Sequence, residues 1–203
     1  MALTIRFEEA LAHAARIHAG QNRKGSDVPY VSHLLAVASL AMEAGADEDE
    51  VIAALLHDAV EDQGGRARLE DIRWRFGDAV ADIVHGCSDS DVAGEKAPWA
   101  DRKQRFLEKL RTAPESVRLV VACDKLHNLR SLVAAYRESG EDLWSRFKAG
   151  REETLEYARR VLEELSRTVA EATPGYRHLV EEARRTEAEL RTLTGAAGGS
   201  AVR

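Results

Sequence analysis

His57 and Asp58 stand side by side at the end of the apolar run Val51-Ile52-Ala53-Ala54-Leu55-Leu56, and Glu61-Asp62 follow almost at once. Four ionisable groups within six residues are expensive to bury unless something satisfies them, and a divalent cation with its bound water does so directly. Adjacent helix positions point about 100° apart, so one cation can be gripped by both only if further ligands arrive from neighbouring helices. The candidates are His33, which opens a helical segment after Pro29-Tyr30, and Asp124, a carboxylate interrupting the apolar run that starts at Leu119. Two imidazoles and two carboxylates suit manganese, iron or zinc, and leave positions for water and a phosphoryl oxygen. Hydrolysis is the natural use.

On a continuous helix Glu61 lies one turn beyond His57 and Asp62 one turn beyond Asp58, so the four side chains are expected to share a stripe. A carboxylate at that offset takes a proton from an attacking water or orients it. Asn128, one turn after Asp124, is placed to bond substrate, and Arg23 and Lys24 in the preceding loop are placed to meet phosphate or stack on a base.

These residues need helices to position them. Apolar residues recur at a 3.6-residue period from Thr4 until Gly20, and residues 21–30 carry the glycine, serine and proline of a loop. A second helix is expected from Val31 to about Glu43. Asp47 with Glu50 then forms a capping box for a third, which holds the His57-Asp58 pair. Gly64-Gly65 breaks it, a short amphipathic piece covers about Leu69 to Phe76, and Asp78 to His85 reads as another helix. Residues 88–99 are irregular and read as a mobile stretch. The segment from Arg102 to Leu110 is helical in pattern, Pro114-Glu115 opens a long helix to about Glu138, and two more follow at about 150–170 and 174–193. No β pattern or repeat emerges. The expected fold is all-α, a single domain over residues 1–194 with its core at about 4–138, C-terminal helices at about 150–194, and a flexible tail at 195–203.

Several residues have plainer readings. His13, His18, His85 and His178 are structural or surface groups, with His18 close enough to the first loop to line a pocket. His127 points away from Asp124 on a helix, which suits support or packing rather than ligation. Trp74, Trp99 and Trp144 are expected to pack. Lys96, Arg102, Lys103 and Arg105 read as a solvated helix face, with a phosphate clamp as the alternative.

The net charge of −6 over 203 residues gives no basic field for a nucleic-acid backbone, so DNA and RNA are not expected partners. Cys87 and Cys123, only two and far apart, read as buried small hydrophobes in a reducing cytoplasm. No signal peptide or membrane span is evident. The C-terminal helices, with alternating Glu and Arg, suit docking on the core, pairing in a homodimer, or plain solvation.

The ordered run His18-Ala19-Gly20-Gln21-Asn22-Arg23-Lys24, Pro29-Tyr30-Val31-Ser32-His33, Ala53-Ala54-Leu55-Leu56-His57-Asp58-Ala59-Val60-Glu61-Asp62, Phe76-Gly77 and Asp124-Lys125-Leu126-His127-Asn128-Leu129-Arg130 resembles the HD phosphohydrolase superfamily, and within it the hydrolase domain of RelA/SpoT homologues. The resemblance covers roughly residues 4 to 135. It implies an HD-domain helical bundle with one manganese ion held by His33, His57, Asp58 and Asp124. It implies a hydrolytic step served by Glu61 and Asp62, and a nucleotide held by Arg23, Lys24 and Asn128. The family reaction removes the 3′-pyrophosphate from ppGpp and pppGpp, returning GDP or GTP, and the chain resembles a small stand-alone alarmone hydrolase. Leu34, Gln63 and the segment Cys87-Ser88-Asp89-Ser90-Asp91 depart from the usual pattern. They leave other nucleotides (ppApp, NADPH or a nucleoside phosphate) and a catalytically silent nucleotide sensor as alternatives.

Overall fold

The computed structural model describes residues 2–91 and 97–200, with side chains described through Gly195. Ten α-helices follow one another among the described residues, with no strand beyond an isolated antiparallel bridge between Asn22 and Pro29. They are α1 (Ile5–Ile17), α2 (Val31–Glu43), α3 (Glu48–Leu56), α4 (Ala59–Asp62), α5 (Gly65–Phe76), α6 (Asp78–Cys87), α7 (Trp99–Arg111), α8 (Glu115–Ser139), α9 (Gly150–Ser166) and α10 (Pro174–Ser200). Short 3₁₀ turns precede α9 and α10.

The boundaries have local causes. Thr4 caps α1 by accepting the Arg6 amide, and Asp47 caps α3 through a reciprocal box: its carboxylate accepts from the Glu50 amide at 2.9 Å while Glu50 accepts from the Asp47 amide at 2.8 Å. Gly140, at φ 58°, closes α8 in a conformation that costs a residue with a Cβ.

The long helix α8 packs against α2, α3, α6 and α10, and this central place explains its sequence. Leu119, Val120, Val121, Ala122 and Cys123 are consecutive and all buried, as expected of a helix covered on most sides. All six residues from Val51 to Leu56 in α3 are likewise buried. Asp124 and the His57-Asp58 pair, each at the end of such a run, are thereby carried into the interior. The C-terminal helices dock on this core, α10 lying against α8 and α9.

Two expectations are corrected. Trp74 does not pack: it is 80% exposed on α5, with the Arg75 guanidinium over its ring at 5.3 Å, because the inward face of that helix is taken by Leu69, Ile72 and Phe76. The third helix is not continuous through the motif either. It ends at Leu56, His57 and Asp58 form a turn, and α4 restarts at Ala59. Asp58 has ψ −4°, well off the helical value of about −42°, and this local turn replaces the regular stripe. Among the described residues no helix is long and apolar enough to cross a membrane.

Candidate functional site

Three pieces of backbone converge at the end of the buried runs. The loop of residues 21–30 is pinned by its bridge, with the Arg23 amide on the Val28 carbonyl and the Tyr30 amide on the Gln21 carbonyl, both at 2.8 Å. It delivers His33 in the first turn of α2. The α3–α4 break delivers His57 and Asp58, and the middle of α8 delivers Asp124.

His33 and His57 are 1% and 3% exposed, and their ring centroids lie 5.2 Å apart. Nε2 of His33 is 3.2 Å from Asp124 Oδ1 and 3.6 Å from Asp58 Oδ2; Nε2 of His57 is 3.0 Å from Asp58 Oδ2 and 3.7 Å from Asp124 Oδ1. Ligand atoms about 2.1 Å from a shared cation sit roughly 3.0–3.5 Å from one another, so the two shorter separations match a ligand shell and the two longer ones lie just outside it. His33, His57 and Asp58 alone place three donor atoms within 4.8 Å of one another.

The electrostatics agree: burial opposes a charge on His57, but Asp58 and Asp124 raise its pKa well above the ordinary value, so the two carboxylates draw positive charge to this point. His57 donates Nδ1–H to the Ala54 carbonyl at 2.8 Å, which turns Nε2 inward as the atom that a cation would take. That buried Nε2 has no hydrogen bond, because Asp58, though 3.0 Å away, is not aligned to make one. A cation would satisfy it. His33 Nδ1 meets His127 Nδ1 at 2.7 Å. Burial, then the neighbouring His33 and Arg23, push the His127 pKa down to about 4, so His127 is neutral, and with a cation on Nε2 of His33 the proton of that ring sits on Nδ1 and His127 accepts it. Burial opposes the charge on both aspartates. The His57 charge nevertheless holds Asp58 well below the usual carboxylate range, and the Lys125 charge is the first of the influences that do the same for Asp124.

A cleft opens over these groups, walled by Glu61, Asp62, Asp89, Lys103, Lys125, Asn128 and Tyr157 among others. Glu61 and Asp62 line it rather than forming a solvated helix end. Asp62 accepts from Gln21 Nε2 at 2.8 Å, and Glu61 accepts from Arg102 Nη1 at 3.3 Å. Asn128 donates to Asp124 Oδ1 and accepts from Arg23 Nη2 at 2.9 Å, so two of the expected nucleotide-contacting residues are tied directly to the centre. Lys24 stands further out, its ammonium 4.7 Å from the Phe147 ring centroid. His18 is buried, stacked on Tyr30 at 5.3 Å, while His85 and His178 are exposed. Five lining carboxylates (Asp58, Glu61, Asp62, Asp89 and Asp124) face two lining lysines, an imbalance that a divalent cation relieves.

Some of these residues gave no signal in the sequence. Tyr30 donates its hydroxyl to Asp58 Oδ2 at 2.5 Å, and burial together with the Asp58 charge keeps that phenol protonated. Asp89, from the irregular segment, is nearly buried and accepts from both Arg102 and Lys103, so neither of those is a solvated residue. Arg105 is exposed, and Lys96 lies outside the described residues. Cys87 also lines the cleft, where burial and then Asp124 raise its thiol pKa, leaving it unreactive; Cys123 is buried, as expected.

Fold and site together define an all-α domain with a buried histidine–aspartate centre suited to a divalent metal. The family model described as the HD domain matches residues 10–155, and the chain belongs to that family. It is 33% identical over 177 residues to the human guanosine-3′,5′-bis(diphosphate) 3′-pyrophosphohydrolase, a match covering 86% of this chain and 92% of that protein. It is 38% identical over 136 residues to a GTP pyrophosphokinase of Streptomyces coelicolor, and 33% identical over 133 residues to the bifunctional (p)ppGpp synthase/hydrolase SpoT of Escherichia coli. Those matches cover 66% and 63% of this chain but only 16% and 18% of the longer proteins. Among solved structures, a metazoan SpoT orthologue that hydrolyses ppGpp superposes with a TM-score of 0.71 at 26% identity, covering 91% of this chain and 97% of that one. A Listeria monocytogenes protein superposes with a TM-score of 0.63 at 31% identity, covering 80% and 99%.

Proposed function

We propose that the chain is a manganese-dependent pyrophosphohydrolase that removes the 3′-pyrophosphate from ppGpp and pppGpp, returning GDP and GTP. The observation that carries this reading is the unsatisfied, inward-facing Nε2 of His57, set among the donor atoms of His33, Asp58 and Asp124 at the floor of an acidic cleft. The match to the human pyrophosphohydrolase along 92% of that protein supports the substrate. His33, His57, Asp58 and Asp124 hold the ion, which supplies Lewis-acid polarisation of water and phosphoryl oxygen.

The rest is the work of the chain. Water attacks the phosphorus bonded to the ribose 3′ oxygen, that P–O bond breaks, and the 3′ oxygen leaves as a hydroxyl. Glu61, aimed by Arg102, accepts the proton from the attacking water and passes it on to the departing 3′ oxygen, and Asp62, held by Gln21, orients the water. Arg23 and Asn128 hold the nucleotide against α8, with Lys24 at the rim. Cytoplasmic residence fits the two unpaired cysteines.

Purified protein supplied with manganese and ppGpp should release pyrophosphate, and an Asp58→Ala variant should lose at least about a thousandfold in rate, since it deletes a ligand and takes one compensating carboxylate from the buried cation. Absence of release by the wild type, or equal rates for both proteins, refutes the assignment. Gln63, whose side chain donates to Gln21 at the edge of the site, stands where the alarmone hydrolases frequently have threonine, so ppApp, NADPH and nucleoside phosphates belong in the same assay as competing substrates.

A further inference from the structure

Two lysines from different helices meet over one aromatic ring in the cleft wall. Lys103 of α7 places its Nζ 5.0 Å from the centroid of Tyr157, and Lys125 of α8 places its Nζ 5.7 Å from the same centroid. Tyr157, on α9, is packed against the core and braced edge-on by Trp99, with ring centroids 5.8 Å apart at 70°. Cation–π attraction to a fixed ring holds both ammonium groups on their side of the cleft and reduces the rotamer freedom that long lysine stems otherwise keep.

Each ammonium is bonded to one carboxylate. Lys125 donates to Asp124 Oδ2 at 2.7 Å, the oxygen opposite the one near the imidazoles, and Lys103 donates to Asp89 Oδ2 at 2.6 Å. An ammonium has three N–H donors, so one bond to a carboxylate does not exhaust it. Lys103, Lys125 and Tyr157 all line the same cleft as His57, Asp58 and Asp124.

We propose that Lys103 and Lys125, astride Tyr157, form a subsite for a diphosphoryl group, and that the group it takes is the pyrophosphate that leaves. The assignment rests on the function proposed above. A diphosphate carries enough negative charge to engage two ammonium groups at once, and Lys125 is one carboxylate away from the donor cluster, which puts the pair beside the bond that breaks. The diphosphate retained on the nucleoside is the other group of the same chemistry, and the experiment separates the two.

Inorganic pyrophosphate and GDP are titrated calorimetrically into the manganese-loaded wild type, Lys103→Met and Lys103→Arg, with manganese affinity measured on each protein beforehand. Lys103→Met keeps the apolar stem and removes the charge. It should weaken pyrophosphate binding at least tenfold, leave GDP and manganese within twofold, and be largely rescued in Lys103→Arg. Unchanged pyrophosphate affinity in Lys103→Met, or no pyrophosphate binding by the wild type, overturns the subsite. A loss confined to GDP overturns the choice of the leaving group. Because the readout is binding, a wild type that binds pyrophosphate through Lys103 yet turns over no ppGpp sinks the proposed substrate and spares the subsite.

Discussion

His127 touches no proposed substrate group, yet its removal should be felt at the metal. Its Nδ1 lies 2.7 Å from Nδ1 of His33 and accepts that N–H when Nε2 of His33 holds the cation, and His33 is only 1% exposed. In His127→Leu that N–H has no partner and little access to water. A buried donor left unsatisfied costs about 1–3 kcal/mol. The same bond fixes which ring nitrogen of His33 faces the donor cluster, and support of this kind is typically worth about 10–100-fold in metal affinity, or roughly 1.4–2.8 kcal/mol at 1.4 kcal/mol per decade. The two routes agree, so manganese affinity should fall by about that factor. Competition against a chelator of known affinity, at fixed pH, reads it directly. His127→Gln retains an amide oxygen as acceptor and should recover most of the loss, while His178→Ala, on the exposed face of α10, should change nothing. If His127→Leu binds manganese within twofold of the wild type, His33 is not held by this bond and the proposed ligand tautomer is wrong.

Two further outcomes concern the scaffold. A Cβ on Gly175 would lie 1.8 Å from the Ala44 carbonyl oxygen, a contact with backbone that no rotamer change relieves, so Gly175→Ala must push the start of α10 off the end of α2. A cost near the upper end of about 1–3 kcal/mol lowers the melting temperature by on the order of 10 °C, and an unchanged melting curve would show that α10 is not seated there. The second is a pH dependence. Burial holds the His13 pKa below its ordinary value although Asp71 raises it, so the unfolded chain takes up a proton that the folded chain refuses. The stability associated with a neutral His13 is therefore fully present above the unfolded pKa of about 6.5 and is lost as pH falls toward the folded value, at no more than about 1.4 kcal/mol per pH unit. Thermal melts at pH 7 and pH 5 should show a smaller drop for His13→Gln than for the wild type, and equal drops would exclude His13 as a contributor.

The helices were legible because their signals are local. Val31–Glu43 carries its own apolar period, Asp47 and Glu50 announce the start of α3, and Pro114-Glu115 that of α8. The meeting of His57-Asp58 with Asp124 was legible for a different reason: a carboxylate or imidazole that interrupts a fully apolar run must be satisfied by something, and both His57-Asp58 and Asp124 are such interruptions. Helical geometry also set His127 apart from Asp124, and its bond to His33 is the support that such a position can give. Trp74 was not legible, since composition says that tryptophan packs and only the register of α5 shows that its inward face was already filled.

The harder failure is the break at Asp58, and it bears on how the site works. Periodicity assumes one repeat throughout and places Glu61 and Asp62 above His57 and Asp58 on a single stripe. A change in one ψ angle divides that stripe in two: His57 and Asp58 come together at 3.0 Å in the turn, while Glu61 and Asp62 belong to a separate short helix held from outside by Arg102 and Gln21. The groups proposed to grip the cation and those proposed to move the proton therefore have different mechanical supports. Asp89 is part of the second support through Arg102, and it also bonds Lys103. No local signal points to Asp89, because its role is set by what α7 brings across the cleft. A sequence can show that buried charges need partners, but partners supplied by another helix become visible only when the chain is folded.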